Sequence, residues 1–135
     1  MPESSLRYLG LLDVTAMHQE IMARYNQVSS FRDNGEATLE SALMRPQMAA
    51  HYESADLAKQ TALLIMGIAQ AHPFVDGNKR VAFAAGIVFL QLNGYLVKSR
   101  PREFGERIVY VLKGAALDDF AEWIRANLNP LPTEM

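Results

Sequence analysis

The sequence predicts an all-α protein of about six helices gathered around one central apolar helix. Three observations carry that expectation. Apolar residues recur at helical spacing along most of the chain. Proline and glycine stand at isolated points, as punctuation between those segments. Half of the residues are hydrophobic and 21% are charged, the balance of a globular protein that buries a real core.

The elements follow in order. Val14, Met17, His18, Ile21, Met22 and Tyr25 fall at i, i+3, i+4, i+7, i+8 and i+11, one apolar stripe, and predict a first helix over about 11–25. Arg32-Asp33-Asn34-Gly35 reads as a turn. A short second helix is expected to run to about Arg45 and to stop at Pro46. Residues 47–54 show no clear period and read as a loop or a small hairpin flap. Asp56 can cap a third helix through LAKQTALLIMGIAQAH, which must end near His72 because Pro73 disfavours α geometry before it. A fourth helix should start near Gly77 and reach about Asn93; it is apolar almost all round after Arg80, which makes it the expected centre of the bundle. Asn93-Gly94 is a good stop, and Pro101 fits the first turn of a fifth helix. A sixth is expected over 117–128, with Phe120, Trp123, Ile124 and Leu128 on one side. Residues 4–9 could form a short extended piece.

With 135 residues and no repeat, linker or low-complexity tract, the chain reads as one domain over 1–135. A net charge of -2 and a pI near 5.9 argue against direct nucleic-acid binding. There is no cysteine, hence no disulfide framework and no thiolate zinc site. The N-terminus, MPESSLRYLG, has no apolar signal core, and the run Val81 to Leu90 is too short to cross a bilayer. The expectation is a cytoplasmic protein that does not engage membranes.

The chemistry concentrates in residues 71–83, AHPFVDGNKRVAF. His72 ends one helix; Gly77, Asn78 and Lys79 open the next. The first N–H groups of a helix lack internal partners and sit at its positive end, so the place is suited to an anion, and phosphate is the usual one. Gly77 lets a ligand come close to the backbone. Asp76 is a hard oxygen donor suited to Mg²⁺ shared with phosphate oxygens. Arg80 can grip phosphate with a fork of donors, and Lys79 adds a point charge. Imidazole is the side chain best suited to take a proton from a hydroxyl at neutral pH, which gives His72 a role as base. Phe74 is too apolar to remain among these groups in water and is expected to anchor the loop in the core. Each piece has a plain alternative: Asp-Gly-Asn is a common turn, and Lys79-Arg80 could be a solvated face. Cations are electrostatically misplaced at a helix start, however, which points to a bound anion.

HPFVDGNKR resembles the core motif of the Fic/Doc family, His-Pro-Phe-x-(Asp/Glu)-Gly-Asn followed by a basic end. RDNGEATLESALMRPQ is similar to the stretch before the flap of Doc-type (death-on-curing) members, and VFLQLNGY to their central helix and its end. The resemblance implies that His72 is the general base, Asp76 the Mg²⁺ ligand, Gly77 and Asn78 the anion cradle, Arg80 the phosphate-contacting arginine and Phe74 the buried anchor. Lys79 stands where AMP-transferring members carry a second glycine, and Phe83 where they carry a second arginine. Lys79 is the Doc-type signature, and the missing second arginine speaks against AMP transfer. The Doc-type resemblance implies a toxin that moves the γ-phosphate of ATP onto a protein hydroxyl, with elongation factor Tu as the branch's target and arrested translation as the result. AMP transfer, or an inactive scaffold acting as a binding module, remain the alternatives. The inhibitory helix of many Fic proteins, Ser/Thr-x-x-x-Glu-Gly/Asn, has no counterpart here: only Glu103 has a hydroxyl residue four positions earlier, Ser99, and Pro101 and Phe104 break the pattern. The resemblance therefore implies inhibition by a separate, Phd-like antitoxin.

Other residues earn simpler readings. His18, on an apolar face, reads as a satisfied core histidine rather than a catalytic one. His51 receives no role, Glu36 and Glu40 read as a solvated face, and Arg45-Pro46-Gln47 as a helix stop that could otherwise shape a docking flap. Walker, G-x-G-x-x-G, H-E-x-x-H and G-x-S-x-G motifs are absent.

Overall fold

A computed structural model describes residues 6–132. Six helices dominate: α1 Leu11–Arg24, α2 Gly35–Glu53, α3 Leu57–Ala71, α4 Asn78–Leu92, α5 Pro101–Leu112 and α6 Leu117–Asn127. Two three-residue strands, β1 Tyr95–Val97 and β2 Leu128–Pro130, pair antiparallel with Leu96 opposite Asn129. The all-α expectation holds, with this small ribbon added. It ties the end of α4 to the end of α6, and its short strands carried no sequence period to find.

The core is one cluster of buried apolar side chains drawn from all six helices, among them Val14, Leu39, Ile65, Phe89, Ile108 and Ile124. Its centre is α3 rather than α4. Eleven of the fifteen α3 residues are buried, against seven of fifteen in α4. α3 packs against α2, α4, α5 and α6. Its polar residues are satisfied inside: Gln60 donates to the Ala55 carbonyl and accepts from the Tyr8 hydroxyl, and Thr61 donates to the Leu57 carbonyl. Asp56 caps the helix by accepting from the Lys59 N–H at 2.9 Å.

The second correction concerns Pro46, which does not end α2; the helix continues to Glu53, and neither a loop nor a hairpin occupies 47–53. Proline inside a helix costs about 3 kcal/mol through a lost hydrogen bond and a ring clash. Burial outweighs it here. Pro46 is itself buried, together with Leu39, Leu43 and Ala49 on the same helix, and each buried leucine contributes about 1.5–3 kcal/mol. Of the extended piece expected over 4–9, residues 4 and 5 lie outside the described residues; Arg7 is tied to the Asn93 side chain through both its N–H and its carbonyl, without forming a strand. Among the described residues no helix is long and apolar enough to cross a membrane.

Candidate active site

The loop between α3 and α4, residues 72–77, carries the charged cluster. α3 stops at His72, whose φ of 48° is left-handed, a conformation that costs a non-glycine residue about 1–3 kcal/mol and collects at functional sites. The chain then dives inward. Pro73 and Phe74 are buried, while His72, Asp76, Lys79 and Arg80 remain exposed.

The inner side of the loop is fully paired. Phe74 is stacked between the His18 ring, 3.6 Å away at 7°, and the Phe31 ring at 4.8 Å. Asn78 folds back over it: Oδ1 accepts from the Phe74 N–H at 3.0 Å, and Nδ2 donates to the Phe74 carbonyl at 2.9 Å. Segment 29–35 lies antiparallel alongside. The Arg32 N–H donates to the Pro73 carbonyl, the Val75 N–H to the Ser30 carbonyl, and Phe31 bridges Phe74. This contact, contributed from before α2, is where the site has its only β-like edge among the described residues.

His18 lies beneath the loop and is fully buried. Its Nε2 stands 2.6 Å from the Asp76 carbonyl oxygen and its Nδ1 2.6 Å from the Ser29 hydroxyl. Burial pushes its pKa below the ordinary histidine value, against the pull of Asp76. Gly77 sits directly over this ring. Its φ is +79°, and a Cβ there would meet Met22 Sδ at 2.9 Å and His18 Nε2 at 3.1 Å. The glycine is thus required by packing against α1 as well as by any ligand.

The outer side is open. His72, Val75, Asp76, Gly77, Asn78, Lys79 and Arg80 line one cleft of about 420 Å³. Glycine at the N-cap leaves α4 without a side-chain cap, and no protein group accepts from the N–H groups of Asn78, Lys79 or Arg80 among the described residues. Asp76 Oδ1 accepts from the Gly77 N–H at 2.7 Å, and its carboxylate stays exposed at the cleft. Neither Lys79 nor Arg80 has an ion-pair partner among the described residues; the Arg80 guanidinium rests 4.2 Å over the Tyr25 ring. His72 makes one outer-limit contact, 3.5 Å from its Nδ1 to Asn78 Nδ2, so the protein leaves its ring nitrogens largely free. No group of three or more metal-ligating side chains forms among the described residues, so a cation here would take one protein carboxylate, from Asp76, and complete its shell with phosphate oxygens and water.

The structure therefore brings every sequence-predicted site residue into one place, in two roles. His72, Asp76, Lys79 and Arg80 face solvent, and Phe74 and the Asn78 side chain are committed to the loop, leaving only the Asn78 N–H for a ligand. A second, apolar cleft of about 500 Å³ between α4 and α5 shares Lys79 and Arg80 with the first and is walled by Phe83, Pro101, Val109 and Tyr110. The sequence reading missed what His18 and Ser29 do. Their sequence distance from Asp76 hid the contact; the only available signal was a histidine on an apolar face.

Comparison with known proteins gives the family of the chain. The Fic/DOC family profile matches residues 8–90, which span α1 through most of α4 and the whole charged loop. The chain is 31% identical over 97 residues to the "Protein kinase doc" of Escherichia phage P1, covering 71% of this chain and 75% of that protein. It is 42% identical over 65 residues to "Toxin Doc" of Mycolicibacterium smegmatis (strain ATCC 700084 / mc(2)155), covering 47% of this chain and about half, 48%, of that one. With the profile spanning more than half of its length, the chain belongs to the Fic/DOC family.

Proposed function

We propose that this protein is the toxin of a toxin–antitoxin pair and a protein kinase of the Doc type: it moves the γ-phosphate of ATP onto a hydroxyl of a cytoplasmic protein, with elongation factor Tu the target the resemblance implies, and so arrests translation. The observation that carries this reading is the cleft itself, where an exposed imidazole, an exposed carboxylate and two cations without an ion-pair partner among the described residues surround an uncapped helix N-terminus. A fold gains little from that combination unless an anion joins it.

The residues divide the work as follows. The N–H groups at the start of α4 and the guanidinium of Arg80 hold phosphate oxygens, and Lys79 adds charge. Asp76 would hold Mg²⁺, which when bound neutralises charge on the phosphate oxygens. A His72 nitrogen takes the proton of the target hydroxyl as its oxygen bonds to the γ-phosphorus; the bond from that phosphorus to the β,γ-bridging oxygen breaks, and ADP leaves with the electron pair. The apolar cleft beside the cations gives the nucleoside end of the donor a place to lie. Phe83, edge-on to Phe104 at 5.0 Å, offers no charge for a further phosphate, which supports γ-phosphate transfer over AMP transfer. The Phd-like antitoxin belongs to the same reading, supported by the relative named as a toxin.

The test is a transfer reaction with purified protein, Mg²⁺ and cell lysate, using γ-labelled and α-labelled ATP in parallel. The expected result is γ-label on one protein band, absent with His72→Ala. Label from the α position would assign AMP transfer, and no label from either would leave a binding module.

A further inference from the structure

We infer that His18, buried and out of reach of any ligand, is a positioning residue for the metal-holding carboxylate: an imidazole, protonated at Nε2, that pins the Asp76 backbone and couples it to the segment at Ser29. This deepens the phosphotransfer reading and rests on it.

The geometry fixes the Nε2 proton. A carbonyl oxygen only accepts, so the 2.6 Å contact to Asp76 requires the hydrogen on His18 Nε2. Nδ1 stands 2.6 Å from the Ser29 hydroxyl, which can donate to a lone pair there. With its face on Phe74 and its edge under Gly77, the ring touches three consecutive parts of the loop: anchor, carboxylate residue and hinge. Pinning the Asp76 carbonyl inward leaves the carboxylate as the part of that residue facing the cleft. A plain core residue would need the stacking but neither of two short polar contacts. The Ser29 bond extends the hold to segment 29–35, whose backbone runs along Pro73 and Val75. Order in that segment and order in the carboxylate loop therefore share one side chain.

Two measurements test this. Ring-nitrogen NMR of histidine-labelled protein at neutral pH should show His18 protonated at Nε2, with its resonances moving when Mg²⁺ and ATP are added; an Nε2 without its proton, or resonances indifferent to addition, would overturn the inference. Binding of the Mn²⁺–ATP complex, read by the enhanced water-proton relaxation when the ion joins the protein, is then compared across variants. His18→Gln restores a donor near Nε2 and is expected to bind within a few-fold of the unaltered protein. His18→Leu keeps bulk and loses the donor, and is expected to bind about tenfold or more weakly, the scale on which loss of a ligand's support acts. Should His18→Leu not fold, His18→Asn replaces it, because its donor lies near Nδ1 and not Nε2; binding at the level of His18→Gln would overturn the role. If the unaltered protein binds Mn²⁺ and His18→Leu binds it equally well, the role falls alone. If the unaltered protein binds no Mn²⁺ with ATP, the phosphotransfer reading falls and takes this role with it.

Discussion

Asn78 is where the loop is most exposed to a single deletion. Its amide satisfies both the N–H and the carbonyl of Phe74, and all of these atoms are buried. Asn78→Ala would orphan one buried donor and one buried acceptor at about 1–3 kcal/mol each, so the variant should lose roughly 2–6 kcal/mol of stability. At about 4 °C per kcal/mol for a domain of this size, Tm should fall by roughly 8–24 °C. Urea unfolding followed through Trp123, the sole tryptophan, reads the loss from α6, well outside the loop in sequence. Asn78→Asp discriminates further: its carboxylate can still accept from the Phe74 N–H, but it faces the Phe74 carbonyl without a donor, so it should be destabilised as well. A loss below about 1 kcal/mol in Asn78→Ala, with an unchanged m-value, would refute the reasoning, because water would then be replacing bonds assigned to a dry interior.

Two further outcomes follow from the same structure. His72 holds φ at 48°, so His72→Gly should be more stable than His72→Ala by about 1 kcal/mol, although both lose transfer activity; equal melting temperatures would remove the strain argument. Asp56 accepts a fork of bonds from Arg125, at 2.6 and 3.0 Å, and this pairing, ahead of the Lys59 N–H, holds its carboxyl below the ordinary value of 3.8. A lowered folded-state pKa means stability that is present above the unfolded value and lost as pH falls through the folded one. Asp56→Asn keeps a cap but not the charge, so its urea midpoint should fall less steeply than that of the unaltered protein below about pH 4; parallel acid limbs would contradict this.

Much of the fold was legible because helical stripes and Pro/Gly punctuation are local. Asp56 announced α3, and Pro73 announced its end. The failures share a cause: a local rule was overruled by burial. Pro46 reads as a stop until its ring is part of the packed face of α2. α4 reads as the centre because it is apolar almost all round, until α3 buries more of its length by satisfying Gln60 and Thr61 through Tyr8, Ala55 and Leu57. The site residues were found as a group because they are contiguous, from His72 to Arg80. Their division of labour was not, because it depends on the fold. Asn78 reads as part of the anion cradle beside Gly77, yet its side chain points back to Phe74. His18 and Ser29 belong to the site only through a contact that spans 58 residues.

That division explains how so much charge can stand at the mouth of a buried helix. Charge inside would require pairing or neutralisation, and the loop keeps all of it out. Every group on the inner face is neutral and bonded: the His18 ring, the Asn78 amide, the Ser29 hydroxyl and the backbone of Pro73 to Asp76. Every charged group is on the outer face, and the two cations there are unpaired among the described residues. The same backbone serves both faces, so tightening the inner one orients the outer one at no cost in buried charge. Two cations at the positive end of α4, and a strained His72 beside them, oppose folding on their own. The neutral clamp beneath offsets that opposition, and an anionic ligand reverses it. In the proposed reading the loop is therefore held ready for phosphate by side chains that never meet it, which is why the inner partners, the Asn78 amide and the His18 ring, are as testable a part of the site as His72 and Asp76.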